Sequence, residues 1–243
     1  SAKEVGININ PKGILEVMPS VASYVGGDIV GGVLACGLAD NQEIKCLIDV
    51  GTNGEIAIGN NEWIVCCSAS AGPAFEGGGA ECGMRATKGA TEKIEIKHDQ
   101  VIYETIGKAK PRGICGSGLI DVIYELVRNK IIDQEGKFNL SMNERRIIVE
   151  DNDPKYIIAF PEETETGQVL TISESEIGNL IKSKGAVFAA FKSLIGYVGL
   201  TFEQLDTIYV AGGFGTSLNI PKAIAIGLLP DIDPQRIQFI GNS

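Results

Sequence analysis

The order of hydrophobic and polar positions predicts a mixed α/β chain. A nearly apolar stretch opens at Pro19 and ends near Gly37. It predicts a helix, because proline favours the first helical turn and glycine the position after the last turn. Short apolar runs interrupted by glycine–asparagine turns follow, which is typical of consecutive antiparallel strands. We expect these strands at 45–50, 54–59 and 62–68.

The same periodicities predict the remaining elements. Ser173 and Glu176 have the spacing of a capping box, and the long helical pattern behind them ends at Gly199. The other expected elements are a strand or hairpin within 5–17, strands within 93–106, a helix at 119–130, two or three strands within 133–170, a strand at 206–211 and a helix from about Asn219 that stops before Pro230. This mixture of helices and strands indicates an α/β domain.

Composition and charge exclude several classes of protein. The chain has 243 residues, 44% of them hydrophobic, which suffices for one large or two small globular domains. Its formal charge of −10 argues against nucleic-acid binding, which recruits Lys and Arg. Residues 21–39 are apolar over nearly the length of a membrane span. Asp28 and five glycines within that stretch nevertheless favour a tightly packed soluble helix. We therefore expect neither a nucleic-acid partner nor a membrane contact.

The six cysteines, at positions 36, 46, 66, 67, 82 and 115, show no C-x-x-C spacing. Neither a zinc site nor a plant-type iron–sulfur cluster can therefore be built locally. Cys66, Cys67 and Cys115 suggest redox chemistry, but buried cysteine is common and no basic neighbour in the sequence would lower a thiol pKa. We expect reduced thiols in a cytoplasmic protein, and we expect His98 to lie on the surface.

Residues 49–55, Asp-Val-Gly-Thr-Asn-Gly-Glu, carry the first candidate site. The glycines let backbone N–H groups approach a bound anion, and neutral side chains beside them offer further donors. Because an acid cannot hold a phosphate, Asp49 would orient a magnesium ion through water. An ordinary hairpin turn is an equally good interpretation of this motif alone. The candidate residues are Asp49, Gly51, Thr52, Asn53, Gly54 and Glu55.

A second candidate follows the strand predicted at 206–211. Its residues Gly212, Gly213, Phe214 and Gly215 form a glycine turn ahead of a helix, where a planar base or a ribose could lie against bare backbone. The alternative is a strand-to-helix turn that needs glycine for steric reasons only. The motif alone favours the structural alternative.

Two further glycine-rich segments precede predicted helices. In the first, Gly72 and Glu76 follow the three strands, where a helix N-terminus would face an anion. Glu76 could ligate a metal or activate water as a catalytic residue, or it could occupy a first helical turn, where acids are favoured. In the second, at 113–118, Ser117 is a possible hydroxyl donor, and structural and binding roles are equally open.

Taken in order, these segments resemble a known superfamily. The glycine-rich helix from Pro19, the turn at 49–52 and the Ala-Gly-Gly-Phe-Gly motif at 211–215 resemble the second half of the actin, sugar-kinase and heat-shock chaperone ATPases. The residues of seven motifs resemble one branch of this superfamily more closely, namely the C-terminal domain of the reductive activators of corrinoid-dependent methyltransfer proteins. These motifs lie at 24–28, 49–55, 71–77, 83–85, 113–118, 211–215 and 227–230.

The resemblance implies a fold, a set of cofactors and a partner. The fold would be α/β, an actin-like ATPase (ribonuclease H-like) subdomain with a mixed sheet and flanking helices, and it would bind ATP with Mg²⁺. Activators of this family reduce cobalt(II) in an inactivated corrinoid protein to cobalt(I) with electrons from their own [2Fe–2S] cluster. The implied parts are a linking helix at 18–40, phosphate-loop strands and helices at 44–130, a strand-rich insertion at 131–172, and a long helix with the adenosine motif at 173–243.

Two parts of such an activator are not found in these 243 residues, namely the cluster-binding region and a first Asp-x-Gly-Thr phosphate loop. Because the chain also begins at Ser1 without a methionine, we expect a C-terminal piece of a longer protein, inactive when isolated. Two other functions stay open: a small-molecule kinase of the same superfamily, and a non-catalytic module for docking or dimerisation. A corrinoid protein is the expected partner, and a homodimer is possible.

Overall fold

The computed structural model describes residues 4, 6–10, 13–98, 100–142, 145–214 and 218–241. The α-helices of this part of the chain are α1 (Gly27–Ala35), α2 (Gly116–Arg128), α3 (Glu174–Tyr197) and α4 (Ile220–Ala225). Its strands are β1 (Lys45–Val50), β2 (Gly54–Gly59), β3 (Ile64–Ala69), β4 (Ala90–Lys97), β5 (Gln100–Thr105), β6 (Gly113–Ile114), β7 (Ile147–Glu150), β8 (Asp153–Ala159), β9 (Leu170–Ser173), β10 (Thr207–Gly212) and β11 (Ile237–Gly241). They form a central five-stranded sheet and two smaller ones.

The central sheet has the strand order β11-β10-β1-β2-β3. Strands β1, β2 and β3 run antiparallel to one another, whereas β10 and β11 run parallel to β1. Parallel neighbours need crossover connections, which α3 supplies before β10 and α4 supplies between β10 and β11. This is the mixed sheet with flanking helices that the sequence predicts. It brings the carboxyl ends of β1 and β10 to one edge.

Both faces of the central sheet are covered. Because successive strand residues point to opposite faces, Ile48 and Val50 of β1 face the larger core, which α3 and the insertion help to form. Leu47 faces a smaller core that it shares with Ile29 of α1. Every residue of β1 and β2 is buried. Burial on both faces fixes the register of the strands, and with it the position of Asp49 near the end of β1.

The chain between β3 and α3, called the insertion from here on, is longer than the insertion predicted at 131–172 and forms two three-stranded sheets. One has the order β5-β4-β6 and carries α2, and the other has the order β7-β8-β9. Helix α2 buries its apolar side chains, including Leu119, Ile123 and Leu126, against β4 and the core. The strands predicted within 93–106 and 133–170 are therefore confirmed, although β9 begins only at the end of the second range.

Several predicted boundaries agree with the structure. The strands predicted at 45–50 and 54–59 are β1 and β2, and the third begins at Ile64 rather than at residue 62. The predicted capping box is present, since the Ser173 side chain accepts a hydrogen bond from Glu176 N and the Glu176 side chain accepts one from Ser173 N. The predicted helix at 119–130 is α2, which begins three residues earlier, at Gly116.

The predicted first helix is wrong over its first half. Helix α1 spans only Gly27–Ala35, because the preceding residues form a turn in which Val25 N donates to Ala22 O at 3.1 Å. Tyr24 has a φ of +70° in this turn, and Gly26 precedes the helix in an extended conformation. The linking segment predicted at 18–40 is thus a turn followed by a nine-residue helix. Among the described residues, no helix is both long and apolar enough to cross a membrane.

The prediction at the C-terminal end of the domain is confirmed for α4, which begins at Ile220 and ends at Ala225, before Pro230. The strand or hairpin predicted within 5–17 is not found among the described residues of that range. Strand β11, which pairs with β10 in parallel, was not predicted from the sequence. Pairing with an open sheet edge decides the conformation of this short segment, and local sequence does not reveal that edge.

Candidate functional site

Four glycine-rich segments that lie far apart in the sequence meet at one edge of the central sheet. Strand β1 leads into the turn at 49–55 and β10 into the turn at 212–214, and Val50 lies directly beside Gly212 in the register. Residues 72–77 and the start of α2 approach the same edge, as the contacts below show. The carboxyl ends of adjacent parallel strands are the usual place for ligands in α/β sheets. The edge is therefore the candidate functional site.

The 49–55 turn places two carboxylates side by side. Asp49 on β1 lies directly opposite Glu55 on β2, on the sheet face that α1 covers, and both residues are almost fully buried. Glu55 accepts a hydrogen bond from Ser68 Oγ at 3.3 Å. Burial raises the pKa of Glu55, and the negative charges of Asp28 and Asp49 act in the same direction. A cation bound beside these two acids would therefore be stabilised by their negative charges.

The backbone of the 49–55 turn is partly used within the turn itself. Gly51 N donates to Asn53 O at 2.9 Å. Gly54 has no room for a side chain, since a Cβ there would lie 2.7 Å from a methyl carbon of Val187 on α3. Glycine at 54 is thus explained by packing. Its role in anion binding, like that of Gly51, Thr52 and Asn53, stays a prediction.

Glu76 lies between the two turns. Its Oε2 accepts a hydrogen bond from Thr52 Oγ1 at 2.9 Å. A Cβ on Gly51 would lie 3.2 Å from Glu76 Oε1, and a Cβ on Gly213 would lie 3.7 Å from Glu76 Cγ. Of the two residues predicted to be catalytic, this one therefore contacts both the 49–55 turn and the 212–214 turn.

The segment that carries Glu76 differs from the predicted helix. Residues Pro73–Glu76 form a single 3₁₀ turn, so no long helix directs its N-terminus at the site. Gly72, with a φ of +73°, precedes this turn, and Ala71 O accepts a hydrogen bond from Ser183 Oγ of α3 at 2.5 Å. Helix α3 therefore supports this loop as well as Gly54.

The 212–214 turn is held from inside the protein. Gly212 has a φ of +136°, and a Cβ there would lie 2.3 Å from Val50 O, so only glycine fits. The Phe214 ring is fully buried between Phe75 and Phe239, with centroid distances of 6.2 and 6.3 Å. Phe214 thus supports the turn from the interior of the protein, and Gly213 lies beside Glu76. The predicted residue Gly215 lies outside the described residues.

Ser117 contacts the 212–214 turn through its main chain. Ser117 N donates to Phe214 O at 3.2 Å, whereas its buried hydroxyl lies 3.4 Å from Cys115 Sγ. A Cβ on the preceding Gly116 would lie 2.2 Å from Phe75 O, which explains the glycine. The first turn of α2 is therefore wedged against both Phe75 and Phe214, and a ligand role for Ser117 stays a prediction.

The donor set at this edge fits one kind of metal and excludes others. Mg²⁺ takes one or two carboxylates and completes its shell with water and substrate phosphates, and Asp49 with Glu55 offers that donor pair. In the part of the chain that the structure describes, no three His, Cys, Asp or Glu side chains come together as metal ligands. A [2Fe–2S] cluster therefore does not fit these residues.

Comparison with known proteins identifies the family. Residues 43–243 match the family model described as the C-terminal domain of RACo, the ASKHA domain. The chain belongs to this family. Residues 1–41 match a second model, the RACo middle region. The boundary between the two RACo models falls just before β1, so the turn at Ala22–Val25 and α1 belong to the middle region.

The relatives of this RACo domain carry consistent names. The corrinoid activation enzyme RamQ of Eubacterium limosum is 35% identical over 241 residues, 96% of this chain and 40% of the relative. A Co(II) methylated amine-specific corrinoid protein reductase of Methanosarcina barkeri is 26% identical over 249 residues, 93% of this chain and 42% of the relative. A solved structure of a reductive activator for corrinoid,iron-sulfur protein aligns with a TM-score of 0.96 and 47% identity, over 99% of this chain and 39% of that chain.

These findings confirm the predicted actin-like ATPase fold and the resemblance to reductive activators. The chain spans about two fifths of the length of the relatives that it matches. All six cysteines of the chain are free thiols. Burial raises the pKa of Cys46, Cys66 and Cys67, which disfavours reactive thiolates there. His98 is exposed, as expected.

Sequence reasoning missed a group of buried charges behind the site. Lys222 on α4 lies within 3.2 Å of two α2 carboxylates, those of Asp121 and Glu125. The available signal was the spacing of these acids, four residues apart on the buried side of an otherwise apolar helix. Phe75 was also missed, because its contact with Phe214 joins segments that are remote in sequence.

Proposed function

We propose that this chain is the nucleotide-binding part of a longer, ATP-dependent reductive activator that returns the cobalt(II) of an inactivated corrinoid protein to cobalt(I). The observation that carries the proposal is the meeting of the 49–55 and 212–214 turns at one sheet edge, with Glu76 between them. The names of three relatives, which all concern corrinoid proteins, support the choice of partner.

In this proposal, the 49–55 turn takes the phosphate end of Mg²⁺–ATP. Asp49 and Glu55 hold the metal ion through its water shell. The Asn53 side chain and the backbone N–H of Thr52 donate to phosphate oxygens, since the single hydroxyl proton of Thr52 is given to Glu76. The metal is needed because two buried carboxylates would otherwise repel an anionic ligand. Mg²⁺ supplies charge neutralisation of the phosphates when it is bound. Binding should therefore depend on the metal.

The other candidate residues take the remaining tasks. Gly212 and Gly213 present bare backbone to the nucleoside, and Phe214 keeps that backbone in place. Glu76, hydrogen-bonded to Thr52, orients the attacking water as the second catalytic residue beside Asp49. Gly51, Gly54, Gly72, Ser117 and Gly215 complete the proposed site.

The reduction itself adds one electron to cobalt(II). No cysteine cluster of the described residues can hold an iron–sulfur centre, so the electron comes from a [2Fe–2S] centre elsewhere in the longer protein. The part played by this chain is to bind and hydrolyse ATP, and closure around the nucleotide changes how the activator grips its corrinoid partner. The proposed setting is the cytoplasm, and a homodimer is compatible with it.

Asp49→Asn in the full-length protein tests this function. The substitution keeps the size of the side chain and removes the charge that orients the metal, and groups that act on a metal through such contacts change affinity or activity by about 10–100-fold. We expect at least a roughly tenfold loss of ATP-dependent cobalt(I) formation, followed anaerobically by absorbance, with unchanged circular dichroism.

The matched control is Asp231→Asn, which removes an exposed acid outside the four segments of the site and should leave the rate within about twofold. An Asp49→Asn protein that still couples ATP to corrinoid reduction at the wild-type rate would exclude Asp49 from the mechanism. Phosphorylation of a metabolite by the wild-type protein without a corrinoid requirement would instead favour a small-molecule kinase.

A further inference from the structure

Along part of β4, side chains of helix α2 accept the hydrogen bonds that a neighbouring strand would otherwise accept. Strand β6 pairs with β4 only at Ala90 and Thr91. Farther along, Ile94 N donates to Asp121 Oδ2 at 2.9 Å and Ile96 N donates to Glu125 Oε2 at 3.2 Å. Both carboxylates are almost fully buried, with 3% and 2% of their residues' surface exposed. Two acids of α2 therefore satisfy backbone donors at the edge of this sheet.

Lys222, in the short helix α4, completes this arrangement. Its Nζ lies 3.0 Å from Asp121 Oδ2 and 3.2 Å from Glu125 Oε1, and it donates to Ile94 O at 2.8 Å. An ammonium group has three donors, so these three oxygens satisfy it completely. The side chain is 12% exposed. A cation can be buried to this extent only when it is paired and hydrogen-bonded in this way.

Lys222 and the 212–214 turn contact the same helix. Phe214 O accepts a hydrogen bond from Ser117 N at 3.2 Å, and Lys222 contacts Asp121 and Glu125. Residues 117, 121 and 125 are four apart and share one face of α2. Both ends of the segment 214–222 are therefore attached to the same face of one helix.

We propose that Lys222 is a positioning residue for the nucleoside end of the site, because its contacts with Asp121 and Glu125 attach α4 to the face of α2 that also bonds Phe214 O, and so restrain the 212–214 turn. The proposal rests on the proposed function, since it assigns the nucleoside to that turn. Lys222 acts through the packing of α4 on α2 and does not touch the nucleotide.

A purely stabilising role explains the network less well. Taking one cation and two acids out of water is costly, and apolar replacements of buried ion networks are often neutral or stabilising. Burial raises the pKa of Asp121 more than its contact with Lys222 lowers it, which indicates the same cost. Apolar side chains in place of these charges would not give a directional contact, and so would not fix the position of α4 on α2.

The affinities for two ligands, one with a nucleoside and one without, distinguish a positioning role of Lys222 from a purely stabilising one. In the full-length protein, Lys222→Met should weaken the binding of Mg²⁺–ADP roughly tenfold, because coupling through a supporting contact of this kind changes affinity by about that factor. Binding of Mg²⁺–tripolyphosphate, which lacks a nucleoside, should stay within about twofold. Isothermal titration calorimetry measures both, and Lys222→Arg should restore part of the ADP affinity.

The control variant is Arg128→Met, which removes a different cation from Glu125 but leaves α4 attached. Its affinities for both ligands should stay within about twofold of wild type. If Lys222→Met folds poorly, the triple variant Lys222→Met, Asp121→Asn, Glu125→Gln removes the uncompensated charges and should show the same selective loss. Hydrogen exchange of residues 212–214 and 218–222 should be faster in either variant.

Equal weakening of ADP and tripolyphosphate, or unchanged binding of both, would overturn the role of Lys222. Wild-type protein that binds neither ligand would overturn the proposed function itself. In that case unchanged hydrogen exchange in the Lys222 variants would also refute the restraint of the 212–214 turn by the contact between α4 and α2.

Discussion

The 49–55 and 212–214 turns end neighbouring strands, but different parts of the molecule hold them. The 49–55 turn joins two strands that follow each other in sequence and pair directly with each other. The 212–214 turn is pressed against Val50, supported by the buried Phe214 ring, and bonded to α2, which lies in the insertion far earlier in the chain. One turn is therefore locally encoded, and the other needs the assembled domain.

The two turns also differ in charge. The 49–55 turn carries the buried acids Asp49 and Glu55, and burial raises the pKa of Glu55. The 212–214 turn has no charged residue, and its constraint is steric. Functional groups often cost stability, whereas their supports contribute it. Substitutions in the 212–214 turn should hence destabilise the protein, and removal of charge from the 49–55 turn should stabilise it.

The largest expected effect is at Phe214. Phe214→Ala removes a fully buried ring from between Phe75 and Phe239, and truncations of this kind lower the free energy of unfolding by about 3–5 kcal/mol. Urea denaturation followed by circular dichroism measures the loss. Phe188→Ala, at a half-buried ring on α3 that contacts Phe202, is the control and should cost clearly less. Equal losses at both positions would remove the special status of the 212–214 turn.

The local encoding of β1 and β2 explains why both could be predicted to the residue. A short loop that contains glycine, between two apolar runs, predicts a hairpin without help from distant residues. The capping box at Ser173 is local in the same sense. The first helix was predicted too long, because apolar content does not reveal that Tyr24 takes a positive φ and that Gly26 stays extended.

The candidate site was predictable only as a set of segments. All four glycine motifs could be named from the sequence, since glycine marks close backbone approach. The contact of Thr52 with Glu76 and the burial of Phe214 could not be named, because each depends on how the insertion packs against the sheet. Lys222 was missed for the same reason, since its two partners lie on a helix of the insertion.

An intermediate effect should distinguish the glycines of the two turns. Gly212→Ala places a Cβ 2.3 Å from Val50 O at a φ of +136°, and such overpacking should cost about 1–3 kcal/mol of unfolding free energy. Gly51→Ala meets only the end of the Glu76 side chain at 3.2 Å, so its cost should stay below about 0.5 kcal/mol. Chemical denaturation of both variants checks the difference, and a tolerated Gly212→Ala would contradict the steric account.

The smallest expected effect has the opposite sign. Burial holds the pKa of Glu55 above its unfolded value, so the native state prefers the protonated acid. This contribution to stability is fully present below the unfolded pKa and is lost as the pH rises through the raised folded pKa. Glu55→Gln should therefore raise the melting temperature at neutral pH, and the gain should shrink towards acidic pH. Glu62→Gln, in the exposed turn between β2 and β3, serves as the control with no such trend. If Glu55→Gln destabilised the protein at neutral pH, the hydrogen bond from Ser68 would outweigh burial, and the 49–55 turn would be supported by its charges as the 212–214 turn is by its packing.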